Sequence, residues 1–233
     1  MKIKAAVVKE VGAPFEIKDD VELHDVGPTD LQIHMVASGI CHSDEAIRRG
    51  DASLGYPVIL GHEGAGIVEK VGSEVKNFKP GDHVILSFYS DGTCDNCLKG
   101  VPTQCHSYAK YNLSGVRADG DDHFTENGKH VSDMFNQSSF TTTTVVDQRN
   151  AVKVDSKLDL RKLGPLGCGT RQGQFVENLG LRTHVYARDV ARRSFQVHHL
   201  YAWRRRSGRN VAKGRLHQHP RYGSPKRRTR CNG

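Results

Sequence analysis

Gly61-His62-Glu63-Gly64-Ala65-Gly66 is the run on which the fold turns. Gly64-Ala65-Gly66 has the spacing that opens a dinucleotide-binding fingerprint, but Glu69 stands where the third glycine belongs. The run leads into Ile67-Val68-Glu69-Lys70-Val71, a predicted strand, whereas the fingerprint links a strand to a helix. Gly64 and Gly66 are therefore expected to permit a tight turn beside His62, and no other Gly-x-Gly-x-x-Gly occurs in the 233 residues. Outward from this run, residues 3–8, 15–23, 31–39, 83–86, 139–146 and 152–154 alternate or cluster β-favouring side chains. Turn signals such as Gly12-Ala13-Pro14, Gly27-Pro28-Thr29-Asp30 and Lys79-Pro80-Gly81-Asp82 separate them. Many short strands with frequent turns predict a mainly β chain built as a small antiparallel barrel, with no doubly wound nucleotide domain. Residues 159–163 are expected to open a helix, 91–105 to form a loop, and the polar 112–128 to be a surface insertion.

Two further glycine-flanked runs carry chemistry. Gly39-Ile40-Cys41-His42-Ser43-Asp44 offers a thiol, as does Gly164-Pro165-Leu166-Gly167-Cys168-Gly169. With the imidazole of His62, Cys41 and Cys168 make a donor set that a catalytic zinc uses, one coordination position being left for water or substrate. Between them Cys94-Asp95-Asn96-Cys97 is followed by Cys105. A redox reading of Cys94 and Cys97 wants a βαβ context and no third thiol, and neither condition holds.

These runs resemble the zinc-dependent medium-chain alcohol dehydrogenases, and Phe135-Asn136-Gln137-Ser138-Ser139-Phe140 with residues 164–169 looks most like the aryl (benzyl) alcohol branch. The resemblance covers about residues 1–169 and implies a GroES-like barrel with a few helices. It also implies a catalytic zinc on Cys41, His62 and Cys168, with Glu63 beside the metal. Ser43 matches the hydroxyl that relays the substrate proton, and Asp44 the carboxylate that orients His62. His42 stands where the cofactor pyrophosphate is met, and Ala46 where some members place a further relay histidine. The family oxidises an alcohol to its aldehyde with NAD as hydride acceptor, and its members oligomerise. Its structural-zinc lobe carries four cysteines. Here Cys94, Cys97 and Cys105 fill three of those positions and Asp91 the fourth, a three-thiolate, one-carboxylate set that zinc accepts.

Charge divides the chain. From residue 170 onward there are 14 arginines and two lysines against Glu177 and Asp189, a net of +14, while the remainder nets −6. Lysine outnumbers arginine 13 to 5 before that point. One domain seldom changes composition so abruptly, so residues 1–169 and 170–233 are expected to be separate units. The second is Arg-rich and poor in aliphatics, which predicts disorder. Its composition, with the missing fingerprint, leads to the expectation of a changed reading frame or truncated gene, and hence of impaired turnover. Arg204-Arg205-Arg206 and Lys226-Arg227-Arg228 would adhere non-specifically to phosphate backbones, with Tyr201, Trp203 and Tyr222 available to stack on bases. The alternatives to an enzyme are thus a non-enzymatic zinc-binding fragment and a nucleic-acid-binding module. Six cysteines are too few for a disulfide scaffold, residues 1–10 lack a signal-peptide core, and no run is long enough to span a membrane. A cytoplasmic location is expected.

Overall fold

The structure, a computed structural model, describes residues 1–169; the expectations for 170–233 lie outside the described residues. In chain order the elements are β1 (Lys2–Val8), β2 (Glu16–Leu23), β3 (Asp30–Ser38), α1 (His42–Arg49), β4 (Val58–Ile59), β5 (Gly64–Val71) and β6 (His83–Leu86). There follow α2 (Asp95–Leu98), α3 (Tyr108–Asn112), β7 (Phe124–Glu126), β8 (Lys129–Val131), β9 (Thr143–Asp147), β10 (Ala151–Val154) and α4 (Leu166–Gly169). Among the described residues the strands form two five-stranded sheets, ordered β4-β1-β2-β7-β8 and β10-β6-β5-β3-β9, with antiparallel neighbours throughout.

The extended residues 140–142 join the two sheets. Ala6 N–H donates to Phe140 O at 2.9 Å and Thr142 N–H to Lys4 O at 2.9 Å, while Met35 N–H donates to Thr142 O at 2.9 Å. This segment lies between β1 and β3 and draws the sheets into a nearly closed, GroES-like barrel. Satisfying both edges leaves few unpaired backbone groups to invite another strand. Strand β9 is buried along its whole length. Successive side chains point to opposite faces, so Val145 packs with Ile3, Val21 and Phe124 while Val146 packs with Leu31, Ile33 and Val84.

Five local readings change, the first being that the loop expected over 91–105 contains α2 and a 3-10 turn at Pro102–Gln104. Gly64 and Gly66 are not turn residues but lie inside β5. A Cβ on Gly66 would sit 2.3 Å from His34 O, and one on Gly64 2.8 Å from Met35 Cε, so these glycines let β5 pack tightly on β3. The turn beside His62 belongs to Gly61, at φ 95°. Residues 112–128 are not a surface insertion throughout: β7 pairs with β2, Phe124 is fully buried, and Arg117 pairs with Asp30 at 2.8 Å in the interior. Polar composition misled there because the buried polar groups are paired with one another. The strand expected over 139–146 begins at Thr143 and runs to Asp147. The helix expected from Asp159 is a single 3-10 turn, Leu160–Lys162, with Asp159 accepting from Arg161 N–H. No helix among the described residues is long and apolar enough to cross a membrane.

Candidate functional site

Helix α1 is short, polar and unannounced in the sequence, yet it organises the first cluster. Cys41 is its N-cap, and Gly50, left-handed at φ 87°, closes it. Asp44 in its first turn is buried. Its Oδ2 accepts the Cys41 N–H at 2.8 Å, and its Oδ1 accepts the Gly61 N–H at 2.9 Å. That same Oδ1 lies 3.1 Å from His62 Nδ1. One carboxylate therefore ties the Cys41 turn to the segment bearing His62, which enters β5 through Glu63.

Cys168 arrives from α4, and glycine makes the approach feasible. A Cβ on Gly167 would stand 1.8 Å from Leu86 O, one on Gly164 2.4 Å from Glu63 O, and one on Gly39 1.9 Å from a Glu63 carboxylate oxygen. Three segments thus meet at separations only glycine allows. One donor atom from each of Cys41, His62, Glu63 and Cys168 falls within 4.8 Å of the others. Cys41 Sγ and Cys168 Sγ are 3.9 Å apart, and Ser43 Oγ lies 3.1 Å from His62 Nε2. His62 is wholly buried. His42 is exposed at the start of α1 and is not brought into the cluster.

The electrostatics of the cluster favour a cation. Burial depresses the His62 pKa, but Asp44 and then Cys168 outweigh it and raise the value to about 11. Burial pushes the Cys41 thiol up, while hydrogen bonds from Ser43 and the neighbouring His62 bring it below its ordinary value. A proton on His62 is one way to supply the positive charge this arrangement wants. A divalent ion on two thiolates and a neutral imidazole is another. With Nδ1–H donated to Asp44, the Nε2 lone pair is left for a metal. The residues present fit zinc.

A second cluster lies at the lobe between Tyr89 and Tyr108. Donor atoms of Asp91, Cys94, Cys97 and Cys105 also lie within 4.8 Å of one another. Cys94 Sγ is 3.5 Å from Cys97 Sγ, and Cys105 Sγ is 3.2 Å from Asp91 Oδ2. Asp91 Oδ1 accepts the backbone N–H groups of Thr93 and Cys94 at 2.8 and 2.9 Å. These bonds, followed by the Cys105 thiol, hold the Asp91 carboxyl far below the ordinary range, so it is a fixed anion. Burial and then Cys94 push Cys97 up to about 12, and burial raises Cys105. Backbone hydrogen bonds at His106 and Cys97 bring the Cys94 thiol down, so Cys97 and Cys105 are the thiols that resist ionising, and a divalent cation at their centre removes that resistance. This set also fits zinc.

Sequence reading missed the groups that brace both clusters. Arg149 donates to Asp91 O at 3.0 Å and to Tyr89 Oη at 2.6 Å while paired with Asp147 at 2.8 Å, so it staples the lobe to the end of β9. Phe88 and Phe135 pack together against one side of the His62 ring, Phe88 stacked at 6.3 Å between centroids and Phe135 edge-on at 5.2 Å. The run opened by Phe135 stands out for its resemblance, but nothing in the sequence says that its ring, or that of Phe88, meets His62.

Comparison with known proteins agrees with this geometry. A family model described as the alcohol dehydrogenase GroES-like domain matches residues 27–156. Geraniol dehydrogenase of Castellaniella defragrans is 41% identical over 182 residues, which is 76% of this chain and 48% of that protein. The NDMA-dependent alcohol dehydrogenase of Amycolatopsis methanolica is 38% identical over 174 residues, 74% of this chain and 46% of that protein. Benzyl alcohol dehydrogenase from Acinetobacter calcoaceticus superposes with a TM-score of 0.68 at 36% identity, covering 72% of this chain and 45% of its own. The chain spans less than half the length of each of these three proteins.

Proposed function

Because this chain belongs to the alcohol dehydrogenase GroES-like domain family, within the zinc-dependent medium-chain group, we propose that Cys41, His62 and Cys168 hold a catalytic zinc with Glu63 beside it. The reaction we assign is the reversible oxidation of a primary or aromatic alcohol to its aldehyde. What supports this reading is the meeting of four donor atoms within 4.8 Å from three separate parts of the chain. Zinc held by that set supplies Lewis acidity, bringing the pKa of a bound hydroxyl toward the ~7 of water at such sites.

The chain's own residues do the rest. Asp44 keeps the His62 Nδ1–H engaged, so Nε2 stays a donor of its lone pair. Ser43, half-buried with its Oγ 3.1 Å from His62 Nε2, takes the substrate's proton and passes it outward. Ala46 provides no second relay, so the proton leaves Ser43 to water. Asp91, Cys94, Cys97 and Cys105 are assigned to a structural zinc. NAD is the assigned hydride acceptor, but the described residues do not fit its pyrophosphate. Gly64 and Gly66, the nearest approach to a fingerprint, are packed inside β5. Only exposed His42 is assigned toward the cofactor.

Zinc content of the purified chain tests the metal sites. A value near two per chain supports both clusters, near one leaves one competent, and near zero refutes the proposal. A non-enzymatic zinc-binding fragment is the competing reading, since the same donors hold the metal without turnover. NADH formation from benzyl alcohol, lost in Cys168→Ser, separates the two.

A further inference from the structure

The aromatic pair around His62 has a feature that packing alone does not require. Phe135 sits at φ 59°, followed by Asn136 at 54° and Ser138 at 42°, all left-handed and none of them glycine. Side chains rarely adopt that conformation, and such residues persist only where the surroundings over-determine them. Here they do. Asn136 donates through Nδ2 to Tyr111 O and accepts at Oδ1 from Ala118 N–H at 2.7 Å. Asn150 reaches Phe135 O and Asn136 O at 3.5 and 3.4 Å. Ser138 Oγ accepts from Met134 N–H and donates to Ile59 O, each at 2.8 Å. Ser139 N–H then donates to Gly61 O at 2.9 Å, fixing the turn to the residue before His62.

The outcome of this unfavourable backbone is one ring placement. The Phe135 edge meets the His62 ring at 5.2 Å and 84°, and the Phe88 ring at 5.0 Å and 78°. Phe88, whose ring centroid is 5.0 Å from that of Phe135, packs on the same side of the imidazole, inclined to it at 26°. Asp44 at Nδ1 and Ser43 at Nε2 anchor the ring but leave it free to rock about the line through its nitrogens, which swings the Nε2 lone pair; the two aromatic rings packed on one side limit that motion.

Resting on the reading of Cys41, His62 and Cys168 as a metal site, we propose that Phe135 is a positioning residue for that site, held by the 134–139 turn so that His62 Nε2 is aimed at the two thiols. Phe135 acts through its ring contact with His62.

Cobalt(II) titration of the full chain reads both clusters together, with Cys168→Ser assigning the absorption bands of the Cys41–His62–Cys168 set. In Phe135→Ala the affinity of that set is expected to fall roughly 10- to 100-fold, the range for groups that orient metal ligands. Its bands should shift, while those of the Asp91–Cys105 lobe stay unchanged. Wild-type affinity and bands in Phe135→Ala overturn the proposal. Should both clusters weaken together, the domain has been damaged, and Phe135→Leu decides, since it keeps most of the volume without the flat edge. Leu with wild-type bands and affinity overturns the proposal, and Leu with altered bands at this set alone upholds it. A wild-type chain showing no Cys168-dependent bands would instead refute the metal site itself, and the role of Phe135 with it.

Discussion

Asp44 accepts from the Cys41 and Gly61 N–H groups and from the His62 ring at once. Asparagine has the same shape but one acceptor oxygen, so its amide N–H₂ would face a donor. Asp44→Asn is therefore expected to weaken zinc at this cluster by roughly 10- to 100-fold in a chelator competition. Another buried pair lies outside the metal chemistry. His123 Nδ1 is 2.8 Å from Asp133 Oδ2, the ring stacks on Phe124, and both partners are buried. Burial lowers the His123 pKa more than Asp133 raises it. The unfolded chain, with an ordinary histidine pKa near ~6.5, then binds more protons than the folded one below that pH. The stabilisation is complete above about pH 6.5 and is lost as the pH falls from there toward the folded value, at up to about 1.4 kcal/mol per pH unit. Urea unfolding between pH 7.5 and 5.5 should show a shallower loss in His123→Asn than in the wild type. Equal slopes would rule the pair out as their source.

Helix α4 is only four residues long, and its position is set by contact instead of by its own stability. Gly167 lies against the Leu86 carbonyl at the end of β6, where a Cβ would be 1.8 Å from the oxygen. Backbone cannot yield that distance, so Gly167→Ala must shift α4 and carry Cys168 away from Cys41. Zinc affinity of the first cluster should drop at least about 10-fold. The lobe, which shares no residue with α4, should keep its metal. Strands β3 and β5 obey the same logic: Gly66 is closed off by His34 O, so the pairing that delivers His62 depends on two glycines that read, in sequence, as turn formers.

For the whole molecule, the sheets close through residues 140–142, and the clusters tie together segments distant in the chain. Cys41 and Cys168 are 127 positions apart. Metal that binds the folded chain and not the unfolded one stabilises it by mass action, about 2.7 kcal/mol when zinc is at 100 times its Kd. Chelation should then lower the thermal midpoint by roughly 5–10 °C for a chain of this size. A midpoint indifferent to chelator would mean that neither cluster holds metal in the folded protein.

Residues 39–44, 61–66 and 164–169, with 91–105, were enough to point to the family and to single out the residues that the fold gathers into both clusters, because ligand chemistry is written in side-chain types and their immediate context. The longer strands were legible too, since a half-buried strand must alternate or cluster its apolar residues, whereas β4, β7 and β8, of two or three residues each, were not. What only the tertiary structure decided is how donors 127 positions apart meet, that Gly64 and Gly66 serve strand contact and not a turn, and that Arg117, His123 and Asp133 are interior. Each of these is a matter of distance between parts of the chain, and a buried ion pair or a close backbone approach looks, in one dimension, the same as solvated polarity or a flexible loop.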